Sequence, residues 1–279
     1  MPLTNANKRI PEEKGLSRWI GLAFTISRDA LAKRLLDLGL GPNALTIAGL
    51  LFTAAAMVCL AQGAGAEPRT LAGGGQSCWR LWAGVFLLLS GAADMLDGAM
   101  ARLGGRITGL GAFLDSVVDR YSDIMLFLGI GIYYARGGNL TYQALATVGM
   151  ANALLISYTK SRAEDFIPSC PVGYWQRGER FAALTIATFA GGIPAVLWQL
   201  AVLPFFTGLR RIHFTNRAIR RISKGEELPR DNRGKITDGS VFDRCRRGSL
   251  LYDLVTGVYI AFIILAPFDN TDLFGQWLG

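Results

Sequence analysis

Asp94-Met95-Leu96-Asp97-Gly98-Ala99-Met100-Ala101-Arg102, then eight residues, then Gly111-Ala112-Phe113-Leu114-Asp115-Ser116-Val117-Val118-Asp119, is the stretch on which the fold and chemistry of this chain turn. It sets four aspartates inside otherwise apolar segments. One aspartate near the centre of a transmembrane helix is disfavoured by roughly 3 kcal/mol, so four of them need a common partner. Asp94 and Asp97 are spaced i,i+3, and Asp115 and Asp119 i,i+4, so each pair projects from one helix face. Gly104 and Gly105 permit a short link, and two antiparallel neighbouring helices would then bring all four carboxylates together. A set of oxygen donors suits hard divalent cations such as Mg2+ or Mn2+. Softer ligands are scarce, since the single histidine is His213 and the four cysteines are scattered.

Outward from this stretch the chain reads as a polytopic membrane protein. Hydrophobic residues make up 51% and charged residues 18%, and mean hydropathy is positive. Apolar runs long enough to span a bilayer lie at about 44–62, 81–100, 107–135, 143–160 and 249–266. The interval 181–209 is either one long tilted helix or a hairpin broken at Gly191, Gly192, Ile193 and Pro194. Lys and Arg concentrate in cytoplasmic loops. Lys8, Arg9, Lys14, Arg18, Arg28, Lys33 and Arg34 therefore place the N-terminus inside. The twelve Lys and Arg between 210 and 247 also belong inside, which requires the hairpin, with six spans before them and a seventh after.

The net charge of +8 is that expected of loops beside anionic membrane lipids, and no nucleic-acid partner is expected. Residues 16–39 interleave Trp19, Ile20, Leu22, Phe24, Ile26, Leu31, Leu35 and Leu36 with Arg18, Arg28, Lys33 and Arg34, the pattern of an interfacial amphipathic helix. The expected fold class is all-α integral membrane: a six-helix transmembrane bundle preceded by this helix and followed by an extra C-terminal hydrophobic helix. The expected divisions are 1–40, interfacial; 41–211, the transmembrane domain; 212–248, a basic cytoplasmic linker; and 249–279, a hydrophobic segment that spans, lies at the interface or packs on a partner.

The pattern Asp94-x-x-Asp97-Gly98-x-x-Ala101-Arg102, eight residues, Gly111-x-x-x-Asp115-x-x-x-Asp119 resembles in full the motif of the CDP-alcohol phosphatidyltransferase family, with the likeness covering roughly residues 40–211. The resemblance implies a homodimeric membrane enzyme of the bacterial plasma membrane, with its site facing the cytoplasm. It would transfer a phosphatidyl group from a CDP-lipid to an alcohol and release CMP. It also implies two ions, Mg2+ or Mn2+, held by Asp94, Asp97, Asp115 and Asp119, with Asp119 doubling as the base. Gly98 would let the nucleotide approach the helix backbone. Arg102 would pair with the pyrophosphate or hold the motif helices together. Gly41, Pro42, Asn43 and Ala44, followed by Thr46, would lie against the cytidine end, although alone they read as a turn and helix start. Thr108 would touch the CDP-lipid, cap its helix, or do both.

The acceptor is read elsewhere. Ser157-Tyr158-Thr159-Lys160-Ser161-Arg162 and Arg177-Gly178-Glu179-Arg180 resemble bacterial phosphatidylinositol phosphate synthases. That likeness implies an acceptor-phosphate pocket of Ser157, Lys160, Arg180 and Arg211, suited to a dianionic phosphate and hence to inositol 1-phosphate taking the lipid from CDP-diacylglycerol. Each of these cations also has a plain reading as a snorkelling or positive-inside residue. The rival acceptor is glycerol 3-phosphate. A rival of another class is a cation transporter or channel using the aspartates as its ion site.

Overall fold

Turn chemistry sets where the helices begin and end. Pro42 follows Gly41 and occupies the first turn of its helix, where a missing N–H costs nothing. Thr108, Asn139 and Ser249 each accept a backbone N–H three residues on, from Gly111, Tyr142 and Tyr252. In the computed structural model the described residues are 16–64, 78–105, 108–230, 234, 236–237, 249–266 and 271–278, with side chains from residue 25 to residue 276. They form α1 (Leu16–Asp37), α2 (Pro42–Gly63), α3 (Cys78–Leu103), α4 (Gly109–Arg136), α5 (Leu140–Glu164), α6 (Arg177–Ala190), α7 (Ile193–Ser223), α8 (Leu250–Leu265) and α9 (Leu273–Leu278). Among the described residues there is no strand beyond one isolated bridge, Arg230 with Ile236.

The protein is an all-α, multi-pass membrane protein. By length and composition, α2, α3, α5 and α7 are each able to cross a membrane. The other expected spans differ. α4 is long enough, at 28 residues, but carries Asp115, Asp119, Arg120 and Asp123 within its first fifteen residues. α6 has 14 residues and α8 has 16, about 21 and 24 Å at 1.5 Å per residue, shorter than a hydrocarbon core of about 30 Å. The hairpin reading of 181–209 matches the structure. Gly191 takes φ +73° and ends α6, a left-handed conformation that glycine adopts without steric cost.

Leu60, Leu87, Leu126, Ile130, Ala153, Leu184, Ala187, Leu197 and Leu200 build the core, drawn from α2 to α7. Small residues bring helices close. A Cβ on Gly129 of α4 would lie 2.6 Å from the Met57 carbonyl oxygen of α2. Gly129→Ala should therefore push α2 from α4 and cost about 1–3 kcal/mol. Gly257→Ala in α8 meets nothing within 4 Å and should be neutral or slightly stabilising; thermal unfolding in detergent checks both. Polar bonds pin other helix pairs: Thr53 and Ser90 hydroxyls are 2.8 Å apart between α2 and α3, and Asn152 donates to the Ala201 carbonyl at 2.7 Å between α5 and α7.

Two boundaries move relative to the sequence reading. α7 runs unbroken to Ser223, so residue 212 begins no new element; Phe214 and Ala218 are buried against Ile167, Cys170 and Val172, and from there no Gly or Pro interrupts the chain before Gly225. α8 packs on its own chain, beside α6. Tyr252 donates to Glu179 in the first turn of α6, while the Ile263 carbonyl rests against Gly192 beyond its far end. Past α8, Asp272 accepts the backbone N–H groups of Leu140 and Thr141 at 3.1 and 2.9 Å, capping α5. The Thr141 hydroxyl and these N–H groups hold the Asp272 carboxyl well below the usual carboxylate range. α1 lies against α3 through Ala32, Leu35, Leu36, Ala99 and Met100. Residues 1–15 and the side chains of Trp19, Ile20, Leu22 and Phe24 fall outside the described residues. His213 is exposed.

Candidate active site

Asp94 sits in the last third of α3, and Asp115 and Asp119 lie one turn apart near the start of α4. One carboxylate oxygen from each of the three lies within 4.8 Å of the others. Three of the four expected carboxylates meet at that distance. Asp97, 7% exposed, is turned to α2, where the Thr46 hydroxyl donates to its Oδ2 at 2.6 Å. Thr46 also donates weakly to the Pro42 carbonyl at 3.3 Å, so the Gly41-Pro42-Asn43-Ala44 turn is anchored to the motif helix through one hydroxyl.

Arg177, at the start of α6, reaches into the cluster. Its Nη1 donates to Asp94 Oδ1 at 2.7 Å, and its Nη2 lies 2.9 Å from Asp119 Oδ1. The second contact is close but poorly aligned, for Asp119 Oδ1 and Arg177 Nε are both buried without a hydrogen-bond partner. One turn further along α4, Asp123 accepts from Arg180 Nη2 at 2.7 Å, with side chains 7% and 2% exposed. Asp115, Asp119 and Asp123 form one i,i+4 series, and the sequence reading stopped one member short. Arg177 was visible only as the first residue of a basic tetrapeptide.

The remaining motif residues line the same end. Gly98 has open space around it: a Cβ there would meet only the Arg102 guanidinium, at 3.4 Å. Arg102 is exposed and bridges no helices among the described residues. Thr108 caps α4 through Gly111 N at 3.0 Å, and a Cβ on Gly111 would lie 3.9 Å from Asn43 Oδ1, so the start of α2 faces the start of α4.

Of the four expected acceptor-pocket residues, two are enclosed. Arg180 is 1% exposed and Arg211 3%. Arg180 is held by Asp123 and donates to the Trp175 carbonyl at 3.2 Å, retaining a buried Nε with no partner. Arg211 donates to the Val172 carbonyl at 3.1 Å and to the Ile156 carbonyl. A charge taken out of water needs compensation: Arg180 is ion-paired with Asp123, and Arg211 is satisfied by backbone carbonyls. Ser157 and Lys160 stay half-buried at the end of α5, with the Ser157 hydroxyl donating to the Ala153 carbonyl at 3.0 Å. Burial pushes the Cys170 thiol, in the loop before α6, above its usual range, which leaves it a poor nucleophile.

Carboxylates from two helices, close enough to share an ion and next to an exposed arginine and a glycine with open space, match one sequence family. The family model for CDP-alcohol phosphatidyltransferases matches residues 40–216. The chain belongs to that family. Among curated relatives, phosphatidylinositol phosphate synthase of Mycobacteroides abscessus is 35% identical over 198 residues, 68% of this chain and 84% of the relative. Archaetidylinositol phosphate synthase of Pyrococcus horikoshii is 29% identical over 187 residues, 66% and 88% of the two chains. Among solved structures, the phosphatidylinositol phosphate synthase of Mycobacterium tuberculosis with CDP-DAG bound superposes with TM-score 0.57 at 26% identity, covering 67% of this chain and 92% of that one. Family membership makes the protein a membrane-embedded phosphotransferase rather than an ion path.

Proposed function

We propose that the protein transfers the phosphatidyl group of CDP-diacylglycerol to inositol 1-phosphate, forming phosphatidylinositol phosphate and releasing CMP. The observation that carries this reading is the meeting of Asp94, Asp115 and Asp119 within 4.8 Å, with Asp119 Oδ1 buried and lacking a hydrogen-bond partner, inside the family motif. A buried carboxylate oxygen without a donor fits a metal ligand, and an all-oxygen donor set fits Mg2+ or Mn2+. Asp94, Asp97, Asp115 and Asp119 would hold two such ions. When bound, these supply charge neutralisation for the pyrophosphate and hold the reacting phosphate for in-line displacement.

The chain's own groups do the rest. Asp119 takes the proton of the acceptor hydroxyl as the new P–O bond forms. Gly98 leaves room for the nucleotide, with Gly41 to Ala44 and Thr108 across from it, and exposed Arg102 meets the pyrophosphate. The acceptor's phosphate is recognised by Lys160, which has no ion-pair partner among the described residues, with Ser157, and Arg180 adds its positive charge from inside the bundle. Arg211 supports this corner by holding the last turn of α5 through the Ile156 carbonyl. The inositol-phosphate synthase names of the relatives support this acceptor over glycerol 3-phosphate. The reading also takes residues 41–211 as a catalytic unit working as a homodimer in a bacterial plasma membrane, with the carboxylate end towards the cytoplasm.

Lys160→Gln tests the acceptor side. Losing one charged hydrogen bond to phosphate should raise the acceptor KM about tenfold and leave the KM for CDP-diacylglycerol unchanged. Equal shifts in both constants would remove Lys160 from the acceptor site.

A further inference from the structure

Three carboxylate oxygens within 4.8 Å repel one another when no cation is present, and the structure supplies one from a third helix. We infer that Arg177 is the counter-ion of the metal-free cluster, and that divalent ions load by displacing its guanidinium. The inference rests on the proposed metal reading and adds a competitor to it. Both would use the same atoms: Arg177 engages Asp94 Oδ1 at 2.7 Å and approaches Asp119 Oδ1 at 2.9 Å.

The fit is good for one carboxylate and poor for the other. A guanidinium fork is strongest when both its arms bind one carboxylate in parallel. Here it is divided between carboxylates of α3 and α4, and Arg177 Nε and Asp119 Oδ1 are left buried without hydrogen bonds. An ion has no directional N–H and can take lone pairs from all three aspartates. Displacement leaves the surrounding turn in place, because Arg180 is fixed by Asp123 and Trp175 and Glu179 accepts from Tyr252 at 2.9 Å. Only the Arg177 side chain, 25% exposed, has to rotate. Metal affinity is then reduced in proportion to the time the guanidinium occupies the cluster, and Arg177 is a positioning residue that sets how readily the site loads.

The test is Mn2+ titration of the full chain in detergent, without CDP-lipid, following free Mn2+ by electron paramagnetic resonance. Arg177→Gln is expected to lower the Mn2+ Kd about tenfold, as for removal of a competitor present about nine-tenths of the time. Arg177→Lys, which keeps a charge but cannot bridge two carboxylates, should fall between it and the wild type, and it carries the test if the Gln variant does not fold. Wild-type binding abolished by Asp115→Asn, together with an unchanged or higher Kd in the Arg177 variants, would overturn the competition alone. No Mn2+ binding by the wild type would overturn the metal reading, and the inference with it.

Discussion

Asp119→Asn is expected to lower CMP release by about 10²- to 10⁴-fold, the usual loss when a positioned base is removed, while the protein still folds. Asparagine keeps the shape of the side chain but can neither accept the acceptor's proton nor bind a cation as an anion. The site makes this substitution informative. Asp119 Oδ1 makes no hydrogen bond, and its nearest charged neighbour, Arg177 Nη2 at 2.9 Å, is poorly aligned. The native fold therefore draws little on this carboxylate, and an amide should not leave a worse gap than the one already present. Turnover at fixed saturating donor and acceptor, beside thermal unfolding of the same sample, separates the two effects. Release near the wild-type rate would exclude Asp119 as the base.

Arg180→Met is expected to destabilise the protein by about 3–5 kcal/mol, because it leaves Asp123 as an uncompensated buried charge. Among the described residues the pair is the most enclosed ion pair, with side chains 2% and 7% exposed and 2.7 Å between charged atoms. Asp123→Leu alone should be similarly damaging, whereas the double variant should recover most of the loss, since an apolar pair of similar volume avoids desolvation altogether. Unfolding midpoints of the four proteins in one detergent measure the coupling. The double variant also isolates the electrostatic part of Arg180: with the packing restored, an acceptor KM that remains raised is expected if its charge helps hold the phosphate.

The elements that place the carboxylates were legible in the sequence because their signals are local. Aspartates spaced i,i+3 and i,i+4 had to share helix faces, and Gly104 with Gly105 had to turn the chain between them. The Gly191–Gly192 hairpin was legible for the same reason. What could not be read depended on helices far apart in the chain. Thr46 was noted after the Gly41-Pro42 turn, but its hydrogen bond to Asp97, 51 residues away, draws that carboxylate from the group the spacing suggested. Arg177 has no role in the sequence reading, and Arg180 enters the acceptor pocket there by resemblance. Their separate partners, Asp94 and Asp123, are set by how α6 packs on α3 and α4. The basic run after Arg211 read as linker from its charge, although α7 continues to Ser223 with Phe214 and Ala218 buried in a second cluster. α8 was legible as an apolar run, while its docking was not: Tyr252 reaches Glu179 of α6, and Tyr252 and Tyr259 pack on Tyr174 and Trp175 just before α6 at 5.1–5.5 Å, contacts that arise only in three dimensions.

The most direct measurement is CMP release by the purified full chain in detergent with CDP-diacylglycerol and Mg2+, supplying inositol 1-phosphate, glycerol 3-phosphate, inositol or serine one at a time. Release with inositol 1-phosphate and with none of the other three is the expected result; release with glycerol 3-phosphate in its place, or with no acceptor at all, would contradict it.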